Sequence, residues 1–221
     1  MEAASVKAYK GIGMEGWIAK WYAANTRKGL EDFRSLARRV AAQLAPGSRV
    51  LELAPGPGYF AVELAKLSSY QITGLDISRS FVEIARRNAG EEKVQVDFQL
   101  GDAAHTPFAD ESFDFILCRA AFKNFSEPVE AIREIHRVLR KGGHAVIIDL
   151  RRDASRKSIS DFVAQMGLSW ASTISTKLTF RFMLLKRAYI RSEIEKFVAQ
   201  TEFRTAEIDE NPMGFEIKLQ K

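Results

Sequence analysis

The sequence predicts an α/β protein: a doubly wound, mostly parallel sheet of seven strands with its last strand antiparallel, N-terminal helices in front and a helical cap inserted late. Three observations predict it. Between Arg49 and Leu150, five short apolar runs alternate with helical patterns. These runs are apolar on both faces, as strands of a parallel sheet must be when helices cover both sides. Near the end, "RTAEIDENPMGFEIKLQ" reads as two strands around a turn at Asn211-Pro212-Met213-Gly214.

Two helical patterns come first. "GWIAKWYAAN" (16–25) puts Trp17, Trp21 and Ala24 on one face, with Ile18 and Tyr22 beside them. Leu30 to Leu44 carries Phe33, Leu36, Val40 and Leu44 in a stripe that "APG" ends. "RVLELA" is then a buried strand, followed by a glycine turn and the helix "YFAVELAKL". "QITGLDIS" is the second strand and "RSFVEIARRNAG" a helix ending at Gly90. "VQVDFQLGDA" and "SFDFILCRA" supply strands three and four. "SEPVEAIREIHRVLRKGG" is an amphipathic helix with Pro128 in its first turn, Val129, Ile132, Ile135 and Leu139 on one face, and Gly142-Gly143 closing it. "HAVIIDL" is the fifth strand. Residues 151–191 break the rhythm, and "RSEIEKFVAQ" is the last helix. The chain therefore divides, within one domain over 1–221, into N-terminal helices (1–45), a core (46–150), a cap insertion (151–191), and a last helix with its hairpin (192–221).

A chain of 221 residues with 46% hydrophobic and 28% charged residues has the composition of a soluble globular protein. No apolar run reaches the length of a membrane span, and "MEAASVKAYKGIGMEG" lacks the apolar centre of a signal peptide. Cys118 is the only cysteine, so an internal disulfide and a thiolate zinc site are excluded. His105, His136 and His144 are too scattered to suggest a metal. The expectation is a cytoplasmic, metal-independent protein. The formal charge is +5, but the basic residues lie mostly among acids and form no nucleic-acid motif, and no nucleic-acid partner is expected.

Function is sought in the loop after the first strand, because ligands of such sheets sit beyond the carboxyl ends of the strands. "VLELAPGPGYF" contains Gly56-Pro57-Gly58-Tyr59-Phe60-Ala61, a G-x-G-x-x-A pattern that also suits a dinucleotide, and no Lys-Ser or Lys-Thr of a P-loop follows it. Asp76 ends the second strand and suits ribose hydroxyls in either case. Glu52 discriminates. Beside a pyrophosphate it would bring like charges together in a partly dry loop that has no Arg or Lys, whereas a cationic amino-acid ligand would welcome it. Asp102, after the third strand, suits an exocyclic amine such as adenine N6. Acids at three successive strand ends fit an ammonium, a ribose and an adenine together, and S-adenosylmethionine has all three.

On these motifs the chain resembles the class I S-adenosylmethionine-dependent methyltransferases, in particular those similar to the ubiquinone/menaquinone-biosynthesis methyltransferases. The resemblance rests on "VLELAPGPG", "GLDIS", "GDAAHTPFADESFD" and "HRVLRKGGHAVIID", and runs from about Arg49 to Leu150. It implies a Rossmann-like fold and methyl transfer from S-adenosylmethionine. Glu52 and the backbone of Ala54, Pro55, Gly56 and Gly58 would hold the methionine end, Asp76 with Ile77 the ribose, and Asp102 with Ala103 the adenine. Ala54 stands where many relatives have glycine, and the expectation is that its φ is negative.

In-line transfer needs an acceptor held against the methyl group more than it needs a dedicated base. Arg119, Phe122, Lys123 and Asn124, in "CRAAFKNFSEP", are the candidate acceptor contacts; the related enzymes often have a His-His pair at Lys123-Asn124. Against these stand core packing for Phe122 and Phe125 and a solvated lysine for Lys123; His105 suits a base near the adenine loop less well than a polar surface turn. Trp17, Trp21 and Tyr22 suit either a lid or packing on the sheet. The insertion mixes Arg151, Arg152, Arg156, Lys157, Lys177, Arg181, Lys186 and Arg187 with Phe162, Met166, Trp170, Phe180, Phe182 and Met183. It suits an anionic or lipophilic small-molecule acceptor, an acidic membrane surface, a plain helical cover or a dimer contact. The rival readings are a non-catalytic module that binds or senses S-adenosylmethionine and, more weakly, an NAD(P)-dependent oxidoreductase.

Overall fold

The computed structural model describes residues 9–11, 13–164 and 170–221. The five apolar runs of the core form β1 (Arg49–Leu53), β2 (Gln71–Asp76), β3 (Asp97–Leu100), β4 (Phe113–Arg119) and β5 (Leu139–Leu150); the C-terminal pair forms β6 (Glu207–Glu210) and β7 (Gly214–Gln220). They make one seven-stranded sheet in the order β3-β2-β1-β4-β5-β7-β6. β1 to β5 pair in parallel, and β7 runs antiparallel to both neighbours. The doubly wound, Rossmann-like expectation is borne out. In the closing turn, Asn211 Oδ1 accepts from the N–H groups of Met213 and Gly214 at 2.9 and 2.8 Å, which fixes the hairpin.

Nine helices flank the strands among the described residues: α1 (Gly16–Thr26), α2 (Leu30–Ala41), α3 (Tyr59–Ala65), α4 (Arg79–Glu91), α5 (Pro128–Val138), α6 (Arg156–Ala164), α7 (Trp170–Thr179), α8 (Leu185–Arg187) and α9 (Arg191–Ala199). The period-2 alternation of each strand divides the core into two layers. In β4, Phe115 and Leu117 join Phe33, Leu36, Phe60 and Val82 of α2, α3 and α4. Ile116 and Cys118 join Ile132, Ile135 and Ile194 of α5 and α9 on the opposite face. The same rule sends Glu52, between Leu51 and Leu53 of the α5 layer, toward α3.

Two expectations are corrected. The helix expected to continue to Gly142-Gly143 stops at Val138, because Leu139 turns extended and pairs with Phe113 of β4. On α1, Trp17, Trp21 and Ala24 do not form the packed face. Ala19 and Ala23 are buried against Phe81 and Ile84 of α4, and Trp17 and Trp21 point to solvent. Small side chains at i and i+4 let two helices approach closely, which the indoles would prevent. Met166 and residues 1–8 lie outside the described residues, as does the Met183 side chain.

Candidate active site

The order of the strands locates the crevice. β1 and β4 are neighbours, and the helices after them, α3 and α5, pack on opposite faces, so the chain parts above their carboxyl ends. Glu52, Asp76 and Arg119 all come to this point.

Glu52 is buried, and its Oε2 accepts from the Ala61 N–H of α3 at 3.2 Å. Burial pushes its carboxyl up to about 8, against the opposing pull of that N–H and of the Arg119 charge. An N–H in the first turn of α3 is thus occupied by a carboxyl oxygen of the protein itself, which leaves this helix start ill suited to a pyrophosphate. Arg119, expected among the acceptor contacts, stacks its guanidinium on Phe33 at 4.3 Å and favours the charged form of Glu52.

Asp76 reaches from the end of β2 to the glycine turn. Oδ2 accepts from Gly56 N–H and Oδ1 from Ser78 N–H, each at 2.9 Å. Burial raises its carboxyl to about 6 despite these donors. Ile77, beside it, is exposed. Ala54 donates its N–H to Leu75 C=O and has φ +52°. The expectation of a negative φ is therefore wrong: the tight passage from β1 into the turn demands the left-handed region, which costs alanine about 1–2 kcal/mol. Two glycines of the turn differ in purpose. A Cβ at Gly58 would meet Phe98 at 2.6 Å, so that glycine lets α3 close on the sheet; a Cβ at Gly56 would meet nothing within 4 Å, so its face is open toward a ligand. Pro55 lies buried between them and Ala54.

Asp102 follows β3 and accepts from Ala104 N–H at 2.9 Å through Oδ1. His105 Nδ1 stands 3.8 Å from the other oxygen and its ring is exposed, in keeping with a polar turn. Ala103 is buried in the α5 layer. By their chemistry, the three acids suit an ammonium, a diol and an exocyclic amine.

After β4, Phe122 is buried and packs edge-on to Phe125 at 5.7 Å. Lys123 is not a solvated lysine. It is buried, and its Nζ donates to Asp149 Oδ1 at 2.8 Å and to Ala120 C=O at 2.5 Å. Asp149 also accepts from the N–H groups of Lys123 and Leu150, so the pair stitches the β4 turn to β5. Asn124 C=O accepts from Lys10 N–H at 2.6 Å.

Sequence reasoning missed several residues here. Lys10 Nζ donates to Tyr189 Oη at 2.6 Å, and Tyr189 lies against Phe122. At the other side, Glu15 accepts from Arg79 and Ser80 N–H, and Ser78 Oγ donates to Met14 C=O. Residue 10 is therefore tied to the β4 turn, and residues 14 and 15 to the start of α4. Only Asp149 left a readable signal: like Glu52 and Asp76, it is an acid at the end of an apolar run. A cavity of about 630 Å³ opens beside α5 and touches none of the three acids. Among the described residues, no three His, Cys, Asp or Glu side chains gather as metal ligands, and no helix is long and apolar enough to cross a membrane.

Comparison with known proteins agrees with the fold. The family described as a methyltransferase domain matches residues 51–147. A demethylmenaquinone methyltransferase of Deinococcus radiodurans is 35% identical over 125 residues, 55% of this chain and 52% of that one. One from Chlorobaculum parvum is 28% identical over 206 residues, 86% and 81% of the two chains. The chain thus spans about half the length of the first relative and four-fifths of the second. A structure from Methanococcus maripaludis, described as a putative S-adenosylmethionine-dependent methyltransferase, shares the fold over 98% of this chain and 97% of its own, with a TM-score of 0.73 at 20% identity.

Proposed function

We propose that this chain, whose residues 51–147 match the family described as a methyltransferase domain, moves a methyl group from S-adenosylmethionine to a small-molecule acceptor. The observation that supports this reading is that Glu52, Asp76 and Asp102 stand at or just past the carboxyl ends of the neighbouring parallel strands β1, β2 and β3, with Asp76 bonded to the glycine turn at Gly56. When bound, S-adenosylmethionine supplies a methyl group already activated on a sulfonium. Glu52 would hold the ammonium, Asp76 with Ile77 the ribose, and Asp102 with Ala103 the adenine. Arg119 keeps Glu52 ready to ionise. Cys118 takes no part as a nucleophile: it is buried, and burial pushes its thiol up.

The acceptor would lie at the β4 turn, between Arg119, Asn124 and the Lys10–Tyr189 pair. Both relatives are named for demethylmenaquinone, which makes a quinol-like aromatic the first class to test. Calorimetric titration with S-adenosylmethionine, S-adenosylhomocysteine and NADH tests the reading. Micromolar binding of the two sulfur ligands without NADH is expected. Binding of NADH alone overturns it, and tight cofactor binding without turnover of any acceptor in a broad panel favours a sensing module.

A further inference from the structure

The positive charge of the molecule is concentrated in one place. Residues 156–187 hold six of the 33 Lys and Arg and one of the 28 Asp and Glu, so this segment accounts for the whole formal +5 and the remainder is balanced. The same segment turns large apolar side chains outward. Trp170, Ile174 and Leu178 follow at four-residue spacing on α7 and are 80%, 53% and 51% exposed; Phe182, four residues on in the π turn Phe180–Leu184, is 59% exposed. That spacing sets them along one side of the helix. The other side is anchored, with Phe180 and Leu185 packed on Ile159, Val163 and Met213. Next to Phe182 opens a cavity of about 330 Å³, where Arg152, Arg156, Arg181 and Lys186 stand around Ile159 and Leu185.

We propose that α7 and its adjoining turn dock on an anionic lipid bilayer, with the apolar stripe entering the interface and Arg156, Arg181 and Lys186 meeting headgroup phosphates. Charge complementarity chooses this occupant. A two-fold contact with a second copy would press one strongly basic face on its equal, whereas an acidic surface satisfies the cations while the interface takes up the indole and aliphatic groups. The inference is independent of the methyl-transfer reading.

Co-sedimentation of the full chain with vesicles tests it, using phosphatidylcholine alone and phosphatidylcholine mixed with phosphatidylglycerol. Binding to the mixed vesicles alone, weakened by added salt, is the expected result. In a Trp17→Phe/Trp21→Phe background, Trp170 emission shifts to the blue on binding. Trp170→Ala/Ile174→Ser and Arg181→Glu/Lys186→Glu each lower the partition constant by ~tenfold or more. These side chains face solvent, and circular dichroism checks that the variants stay folded. Absence of binding to the mixed vesicles, or equal binding by all variants, overturns the proposal. So does a concentration-dependent dimer, seen by sedimentation and broken by Ile174→Asp, in a chain that ignores vesicles.

Discussion

Asp76 joins two segments before any ligand arrives, since each of its oxygens takes a backbone N–H, one from the glycine turn and one from the start of α4. Its removal acts on the ligand directly and on the turn that receives it. Asp76→Ala should cost about 1.5–3 kcal/mol of S-adenosylmethionine binding, the range for hydrogen bonds to a charged group, or roughly one to two decades in Kd by calorimetry. An unchanged Kd would take Asp76 out of the site. Ala54 invites the opposite experiment. With φ at +52°, Ala54→Gly relieves the left-handed strain but frees the unfolded chain, and the balance is a gain of ~0.5–1 kcal/mol in urea unfolding. A loss of stability there would mean that the turn relaxes in solution. The three acids were legible because a carboxylate that ends an apolar run has few structural reasons to be there. Arg119 was legible only as an acceptor contact: its nearness to Glu52 is a relation across two strands, 67 residues apart in sequence.

The turn after β4 shows the same limit at the scale of elements. Lys123 looks like surface in "CRAAFKNFSEP", yet β5 brings Asp149 to meet it away from water. A buried pair broken on one side leaves the other charge uncompensated, so Lys123→Met should lower unfolding free energy by ~3–5 kcal/mol. Lys123→Met/Asp149→Leu should lose less than the two single changes together, because each single change already removes the shared contact. Strictly additive losses in denaturant titrations would show that the pair is not coupled. The succession of strands along the chain, the hairpin and the helix face of α2 followed from periodicity, which local sequence carries. The end of α5 and the buried face of α1 did not. Pairing of Leu139 with Phe113 decides the first, and the closeness of α4 decides the second; both are tertiary choices that override local pattern.

For the whole molecule, the two raised carboxyls make a pH-dependent quantity of the unliganded fold. A carboxyl that binds its proton more tightly folded than unfolded contributes stability that is whole below its ordinary pKa and is lost as pH rises through the folded value. With Glu52 at about 8 and Asp76 at about 6, the window runs from about pH 4 to 8, and the loss amounts to roughly several kcal/mol. The carboxyls that hydrogen bonds hold low, such as Glu134 and Glu15, act below this window. His136, held low by burial, favours the fold as pH rises through the ordinary histidine range and offsets a part of the loss. The Tm of the free chain should therefore fall between pH 5 and 8, and Glu52→Gln, which has no proton to lose, should flatten that slope. A ligand that brings an ammonium to Glu52 reverses the balance, since the charged carboxylate then has a partner and its proton must leave. Binding of S-adenosylhomocysteine at pH 7 should release up to about one proton, read as a difference in apparent enthalpy between two buffers of unlike ionisation heat, and Glu52→Gln should abolish the release. If wild type and Glu52→Gln show the same proton balance, the ligand's ammonium sits elsewhere and the burial of Glu52 serves the fold alone.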